Sequence, residues 1–491
     1  MTASSQTFTG LAPVSLTIPP AAFEVLLYLA VVAAGTLCYL LGWLSINAAV
    51  VLGTALLVGL SVLAWYRFDA GRHPCFLFLG MLMLFQGGRL VAYCLGWLAN
   101  PFQIEFMTAN SFTISRNDAG LVLLLILASA ICVYAPSRWN YRRILPPDDT
   151  KVRVYLPYLY CLLICSSPIQ LFKNYQYFQY AQQHGGYLFL YVNHAAMAAS
   201  VPLYVRAISL ITFPAFVAIF VFERNKKLVW VTTVLYFGTS AVILLLGTRG
   251  ATFTLAVTLW YVARMKSMAR PRIVRLALLI VALMLVANII NLARSGSGAE
   301  DFSEVGPATF ITQQGVSLAV TEVAVKYREV FHPHVISYLF HDLLAAFEVA
   351  DASNFVVGKR FDADMAVFLN PQLYNVGYGS GGSYLAEAYV VGGFFGVVVI
   401  SLLIGTGLQL LYTCSRTALG LFAVAIILPE VLWMSRGSLL GWASVMMRNS
   451  ISIVLLALGW WLYTSLRPAH PVSWSTDNPV VSSKAGPPGG E

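Results

Sequence analysis

The amino-acid sequence predicts an all-α, polytopic integral membrane protein with about twelve transmembrane helices and one large loop outside the membrane. Three observations lead there. Apolar residues fill 58% of the 491 positions and charged residues only 10%, whereas soluble chains are roughly 25% charged. Mean hydropathy is +0.74. One long stretch, from Arg294 to Gly382, is too polar to lie in hydrocarbon.

Taken in order, the apolar runs at about 22–42, 46–65 and 75–97 read as the first three spans. Those at 118–135, 152–168 and 203–222 follow, then 228–246, 250–263 and 276–292, and finally 383–405, 417–434 and 445–464. A helix needs about 20 residues to cross, and several runs fall short, so their ends are loosely defined. The chain then divides into helices over 1–292, a large loop subdomain over 293–382, three more helices over 383–466, and a tail over 467–491 rich in Pro, Ser and Gly, with the composition of disorder. No internal repeat is evident, and no Lys or Arg precedes the first apolar run, so a cleaved signal peptide is not expected.

Charge sets the predicted orientation. Ser137–Arg153 holds five Lys or Arg, Glu223–Lys227 three and Arg264–Arg275 five. With twelve spans these loops share one side, which the retention of cations marks as cytoplasmic, together with both termini. The loops 98–117, 169–202 and 293–382 then lie outside, with the turns at 247–249 and 435–438. The net charge of +9 is accounted for by those cytoplasmic cations, and no nucleic-acid signature accompanies it. The seven cysteines lie in or beside apolar runs, which argues against a disulfide framework and a Cys/His metal site.

Arginines depart from this rule on the outer side. Arg89, Arg206, Arg249, Arg294, Arg436 and Arg448 lie in or at the outer ends of spans. A cation there is costly and is commonly kept for a site, although snorkelling at a helix end is the plainer alternative. Small residues flank Arg249, Arg294 and Arg436, in Gly-Thr-Arg-Gly, Arg-Ser-Gly-Ser and Ser-Arg-Gly-Ser. Guanidiniums converging on one cavity suit a phosphate or pyrophosphate, through bidentate charge-assisted hydrogen bonds. Arg249, Arg294 and Arg436 lead as pyrophosphate ligands, with Arg89 and Arg206 behind them.

Two outer stretches have their own character. Lys173 to Tyr187 interleaves aromatics with amides, and Tyr175, Tyr177 and Tyr180 could stack on sugar rings; an interfacial tyrosine belt is the competing reading. In the large loop His332 and His334 flank a proline and His341 follows, which is not a zinc-ligand spacing. Four glycines over 377–382 then lead into Ser383, Tyr384 and Glu387. Glu387 falls about one turn inside the predicted span, where a carboxylate needs either a cationic partner or a role as a base.

At these residues the chain resembles the O-antigen polysaccharide polymerase (Wzy) family. The resemblance lies in Gly-Thr-Arg-Gly at 247–250, Gln-Gln-Gly-Val-Ser at 313–317, Ser-Tyr-Leu-Ala-Glu at 383–387, the following Tyr389 and Gly392-Gly-Phe-Phe-Gly396, and Arg436-Gly-Ser438. It covers roughly 240–440; the first 200 residues match only in hydropathy. It implies a GT-C-like membrane glycosyltransferase in the bacterial inner membrane, with its active site facing the periplasm. The implied reaction transfers a growing glycan from undecaprenyl pyrophosphate to a sugar hydroxyl of the next lipid-linked repeat unit, without metal or other cofactor. A flippase and a chain-length regulator would be its partners. On that basis Glu387 is the leading base, followed by His341 and Asp342, and Tyr384, Ser383 and Gln314 join Tyr175, Tyr177 and Tyr180 as sugar contacts. An O-antigen ligase would share the arginine logic and differ in acceptor. A transporter or flippase of lipid-linked sugars, the alternative of another class, would need a polar path with broken helices at mid-membrane, whereas here the charges gather at outer ends.

Overall fold

The computed structural model describes residues 19–102, 114–184, 194–245, 249–267, 306–346, 357–375 and 381–466, with 282 and 379 as single positions. Every regular element among them is helical. Helices α1 (Pro20–Leu40) and α2 (Ile46–Arg67) match the first two predicted spans closely. Each starts on a local signal: proline in the first turn of α1, and Ser45, whose hydroxyl accepts the Ala48 N–H, ahead of α2. The third predicted span is broken. Helix α3 (Pro74–Phe85) meets α4 (Gly88–Cys94) at a 65° bend centred on Gln86 and Gly87.

Helix α5 (Arg116–Trp139) is the central post, capped by Ser115 and deeply buried. Helix α6 (Leu156–Gln183) runs on past the predicted end at 168, so the aromatic stretch at 173–183 is helix, not outer loop. Then come α7 (Leu203–Phe222), α8 (Lys226–Leu245) and α9 (Arg249–Lys266). The predicted span 276–292 lies outside the described residues apart from 282. The large loop contributes α10 (Pro307–Gln314), α11 (Ser317–Lys326), α12 (Val335–Ala346) and α13 (Phe361–Leu369). Helices α14 (Tyr384–Cys414), α15 (Ala418–Trp433) and α16 (Gly441–Leu466) close the chain. Among the described residues, seven helices are long and apolar enough to cross a membrane, eight if α3 and α4 count as one span. Each of the eleven predicted spans other than 276–292 overlaps a described helix.

Helix α14 is not one rod. Gly392 and Gly393 leave helical geometry, Gly393 with φ +59°, a conformation that glycine adopts without strain. The two legs fold back on each other. Ser129 of α5 bonds both the Tyr384 hydroxyl at 2.6 Å and the Ser401 hydroxyl at 2.7 Å, which puts the starts of both contacts at one depth. A Cβ on Gly396 would lie 2.4 Å from the Ala388 carbonyl oxygen, so the legs touch near the turn. The second leg then descends parallel to α5, with Gly405 against Ser137 and Tyr412 reaching the Arg142 carbonyl.

Residues 384–391 therefore form a re-entrant leg. Ser129 is 13 residues into α5 (129 − 116), about 20 Å from the Arg116 end at ~1.5 Å per residue. The predicted entry at 383 and the predicted outer turn at 435–438 thus lie beside the middle of α5, since Tyr384 N–H donates to the Met434 carbonyl at 3.1 Å. Ala386 and Val390 of the re-entrant leg pack with Val320, Phe331, Phe361 and Met365, so this leg belongs to the core of the loop subdomain.

The opposite, basic end is stapled by ion pairs. Glu24 joins Arg67 at 2.6 Å and Arg138 at 3.0 Å, and Asp149 holds Arg224. His73, fully buried, meets the Gln409 amide at 2.8 Å. Lipid is as apolar as the helix faces, so such polar contacts and close packing, rather than water exclusion, hold the bundle.

Candidate active site

Three chain breaks meet at one place: the α3–α4 bend, the start of α14 and the α15–α16 break. Gln86, an amide in an otherwise apolar run, ties them together. Its Nε2 donates to the Ser383 hydroxyl at 2.7 Å and to the Ser435 carbonyl at 3.3 Å, while its Oε1 accepts the Thr321 hydroxyl at 3.0 Å. Gln86 is fully buried, and its partners come from α11 and the two later breaks. Breaking a span frees backbone groups that lipid cannot satisfy; a buried amide with donors and an acceptor is one way to satisfy them.

Arg436 sits beside this hub. Its Nη1 donates to the Gln314 side-chain oxygen at 2.9 Å and to the Gln314 carbonyl at 3.3 Å, and its guanidinium lies 5.6 Å from the Phe85 ring centroid and 5.9 Å from that of Trp433. Its own carbonyl accepts the Gly382 N–H at 3.2 Å. Glu387 lies one turn into the re-entrant leg, buried, with Oε2 accepting the Leu439 N–H at 2.8 Å. Arg436 and Glu387 are thus brought to the two ends of one short segment, residues 436–439.

The α10–α11 turn seats on α4 through two glycines. A Cβ on Gly315 would lie 2.6 Å from the Arg89 backbone nitrogen, and one on Gly88 would lie 2.8 Å from the Ile311 carbonyl oxygen. Only glycine fits at that approach. It places Arg89 close to Glu322, whose carboxylate acts on it electrostatically. Arg89 is buried and its Nε donates to the Pro101 carbonyl at 2.8 Å. Glu322 has no exposed surface, and among the described residues neither carboxylate oxygen has a hydrogen-bond partner. Burial pushes its pKa well up, against the opposing pull of Arg89.

The remaining sequence candidates fall in several places. Tyr384 has no exposed surface; its ring faces Phe78 and its hydroxyl is bonded to Ser129, so it packs the bundle instead of presenting a face to sugar. Ser383 caps α14 by accepting the Leu385 N–H and is equally enclosed. Gln314 is engaged by Arg436, which makes it a holder of the cation. Tyr177 is buried in a small core with Ala181, Met197, Val201 and Val205, and Tyr180 packs on that core and stacks on His184. Tyr175 is exposed and accepts a bond from Gln179 one turn on. These three tyrosines belong to α6, whose main packing among the described residues is on α7 and α8. Arg206 is near Tyr177 in the same group.

Helix α9 begins at Arg249, and a Cβ on the next residue, Gly250, would run into the Trp433 ring. The start of α9 therefore abuts the residue whose ring lies against Arg436. The side chains of Arg249, Asp342 and Arg448, and all of Arg294, lie outside the described residues. His341 is buried on α12, a helix that packs on α16 and on α14. Tyr338, one turn earlier, packs with Ala386 and Val390, donates its hydroxyl to Asp364 at 2.5 Å, and feels the charge of Glu387. Burial and the Asp364 carboxylate raise its pKa, so it stays a neutral phenol. Among the described residues no group of three or more His, Cys, Asp or Glu side chains converges as a metal-ligand set.

Sequence reasoning missed Gln86, Glu322 and Tyr338. The signal was present for the first two, each being polar within an apolar run. Broken helices at mid-depth, named above as a mark of transporters, are present here, so that feature alone does not separate the two classes.

Fold and site together define a multi-pass helical membrane protein whose polar centre is built from broken helices inside the bundle. A model of the family O-antigen polysaccharide polymerase Wzy matches residues 23–465, nearly the whole chain, and the chain belongs to that family. It is thus a polymerase of glycosyltransferase type, acting on lipid-linked glycan repeat units in the membrane and joining them into O-antigen polysaccharide. No curated protein and no solved structure matches the chain.

Proposed function

We propose that the transfer takes place where the three helix breaks meet, from an undecaprenyl-pyrophosphate donor and without a metal, with the far end of the bundle facing the periplasm of the inner membrane. The observation that carries this reading is the pairing of Arg436 and Glu387 at the two ends of one four-residue segment. Glu387 takes the proton of the acceptor hydroxyl; that oxygen bonds the anomeric carbon of the donor glycan; the bond from that carbon to the pyrophosphate oxygen breaks, and its electron pair leaves with the pyrophosphate. Charge grows on the leaving group, and Arg436 supplies fixed guanidinium donors to it. Arg249, at the abutting helix start, and Arg294 are the further cations of this reading.

The enclosing architecture supports each role. Gln314 and two aromatic faces hold the Arg436 guanidinium, so little reorganisation is needed during transfer. The Leu439 N–H fixes one oxygen of Glu387. Helix α12 carries His341 and Asp342 close to the same leg, and these remain second choices as base. A flippase that delivers repeat units and a regulator of chain length are the partners the reaction requires. The test is glycan length in a strain deleted for the gene and complemented with Arg436→Ala or Arg249→Ala: the reading expects membrane-resident protein and single repeat units, and unchanged long chains in both would refute it.

A further inference from the structure

Between α1, α2 and α5, away from the Gln86 hub, lies an apolar cavity of about 160 Å3 bounded by Gly35, Tyr39, Leu52, Gly53, Leu56 and Gly120. Helix α1 is otherwise little buried, so this cavity lies on the lipid side of the bundle. We infer that it seats the polyprenyl tail of the acceptor, the lipid-linked repeat unit whose sugar hydroxyl is glycosylated. The inference rests on the transfer proposed above.

Three observations favour this occupant. First, the mouth carries a fixed cation. Arg116 is exposed at the start of α5, with its guanidinium 5.0 Å over the Tyr39 ring and an Nη2 donating to the Leu44 carbonyl at 3.0 Å. Tyr39 and Leu44 both line the cavity. A lipid with an apolar tail and an anionic phosphate complements that arrangement, and Arg is the side chain best matched to phosphate oxygens. Second, the cavity adjoins the site. Leu57 follows Leu56 of the wall, and a Cβ on Gly87 of the bend would lie 2.9 Å from Leu57 Cδ2, so a single helix separates cavity and hub. Third, the mouth lies in the neighbourhood of the re-entrant leg. Asp118, two residues past Arg116, acts electrostatically on Tyr389, two residues past Glu387.

The geometry also selects acceptor over donor. A donor must bring its own pyrophosphate to Arg436, about halfway down α5. An acceptor needs only its distal sugar there; its phosphate can stay at the Arg116 end while the repeat unit bridges to Glu387.

The experiment compares acceptor tails. Purified full-length protein in nanodiscs receives a full-length donor and a labelled repeat unit on either a full-length polyprenyl tail or a single isoprene unit. Gly53→Leu fills the cavity without backbone conflict, because a Cβ there meets only Leu123 and Leu127 side-chain atoms at 3.7 and 3.8 Å. It should raise KM for the long-tailed acceptor about tenfold, as expected for roughly two methylenes left unburied, and leave the short-tailed acceptor unchanged. Leu56→Phe, which alters no glycine, should do the same, and Val62→Phe on the exposed face of α2 should do neither. Equal effects on both tails, or none, would overturn the assignment. In parallel, a photoreactive polyprenyl phosphate should label α1, α2 or α5, lose that labelling in Gly53→Leu, and be displaced by unlabelled polyprenyl phosphate. Equal displacement by phosphatidylglycerol vesicles would overturn it in favour of a general lipid crevice. Absence of polymer from the wild type on any lipid-linked unit would refute the transfer chemistry instead, while the labelling still decides the cavity.

Discussion

The basic end of the bundle and the junction of helix breaks in its middle hold their charged side chains on different partners. At the basic end, acids meet cations directly: Glu24 takes Arg67 and Arg138, Asp69 takes Arg143, and Asp149 takes Arg224. At the junction of helix breaks, Arg436 is held by an amide, a carbonyl and two rings, and Glu387 accepts a backbone N–H. These contacts hold the Arg436 guanidinium and the Glu387 carboxylate in place. On the transfer proposed above, the junction is where substrate is handled and the basic end is structural.

Substitutions at the junction and at the basic end should therefore differ in kind. The largest effect is expected for Glu387→Gln, which keeps an acceptor for the Leu439 N–H but removes the base: polymerisation by the purified enzyme should fall about 10²–10⁴-fold, with the melting temperature in detergent nearly unchanged. Next is Arg436→Ala, expected to slow the same assay about 10²–10³-fold. Gln86→Leu leaves the Ser383, Thr321 and Ser435 groups without their shared partner. It should cost about 1–3 kcal/mol for each polar group left unsatisfied, seen as a lower melting temperature together with lost activity.

Glu322 gives a smaller, pH-dependent effect. Its folded-state pKa lies above the unfolded value, so between the two the folded protein binds the extra proton. Stability then falls as pH rises from the ordinary carboxylate range toward the folded pKa. Glu322→Gln should flatten that part of a melting-temperature profile against pH; an unchanged slope would mean that Glu322 is ionised in the fold. The smallest effect is expected for Arg224→Ala at the basic end. Arg224 is 59% exposed, so its pair with Asp149 is worth about 0–1 kcal/mol, and polymer length should not change.

Much of the helical plan was legible in hydropathy, because length and apolarity suffice to find α1, α2 and α7. Direction was not. The run from 383 to 405 is apolar throughout, and nothing in its composition says that residues 384–391 run against 394–414; Gly392-Gly393 reads equally well as two tolerated small residues. The α3–α4 bend hides in the same way, since its break is one glutamine and two glycines. For the site, Glu387, Arg436 and Gln314 were named from the sequence and lie together, whereas Tyr384 and Ser383 were assigned to sugar on the strength of the resemblance. The re-entrant leg puts them beside Ser129 and Gln86, where packing and capping occupy them. Gln86 and Glu322 needed the fold, because their partners are more than 200 residues away in sequence, at Thr321 and Arg89.

The most direct test of the junction as the catalytic centre is the glycan length profile of a deletion strain complemented with wild type or Glu387→Gln at equal membrane abundance. Long-chain glycan with wild type and single repeat units with Glu387→Gln is the predicted result; long chains of normal length with Glu387→Gln would contradict it.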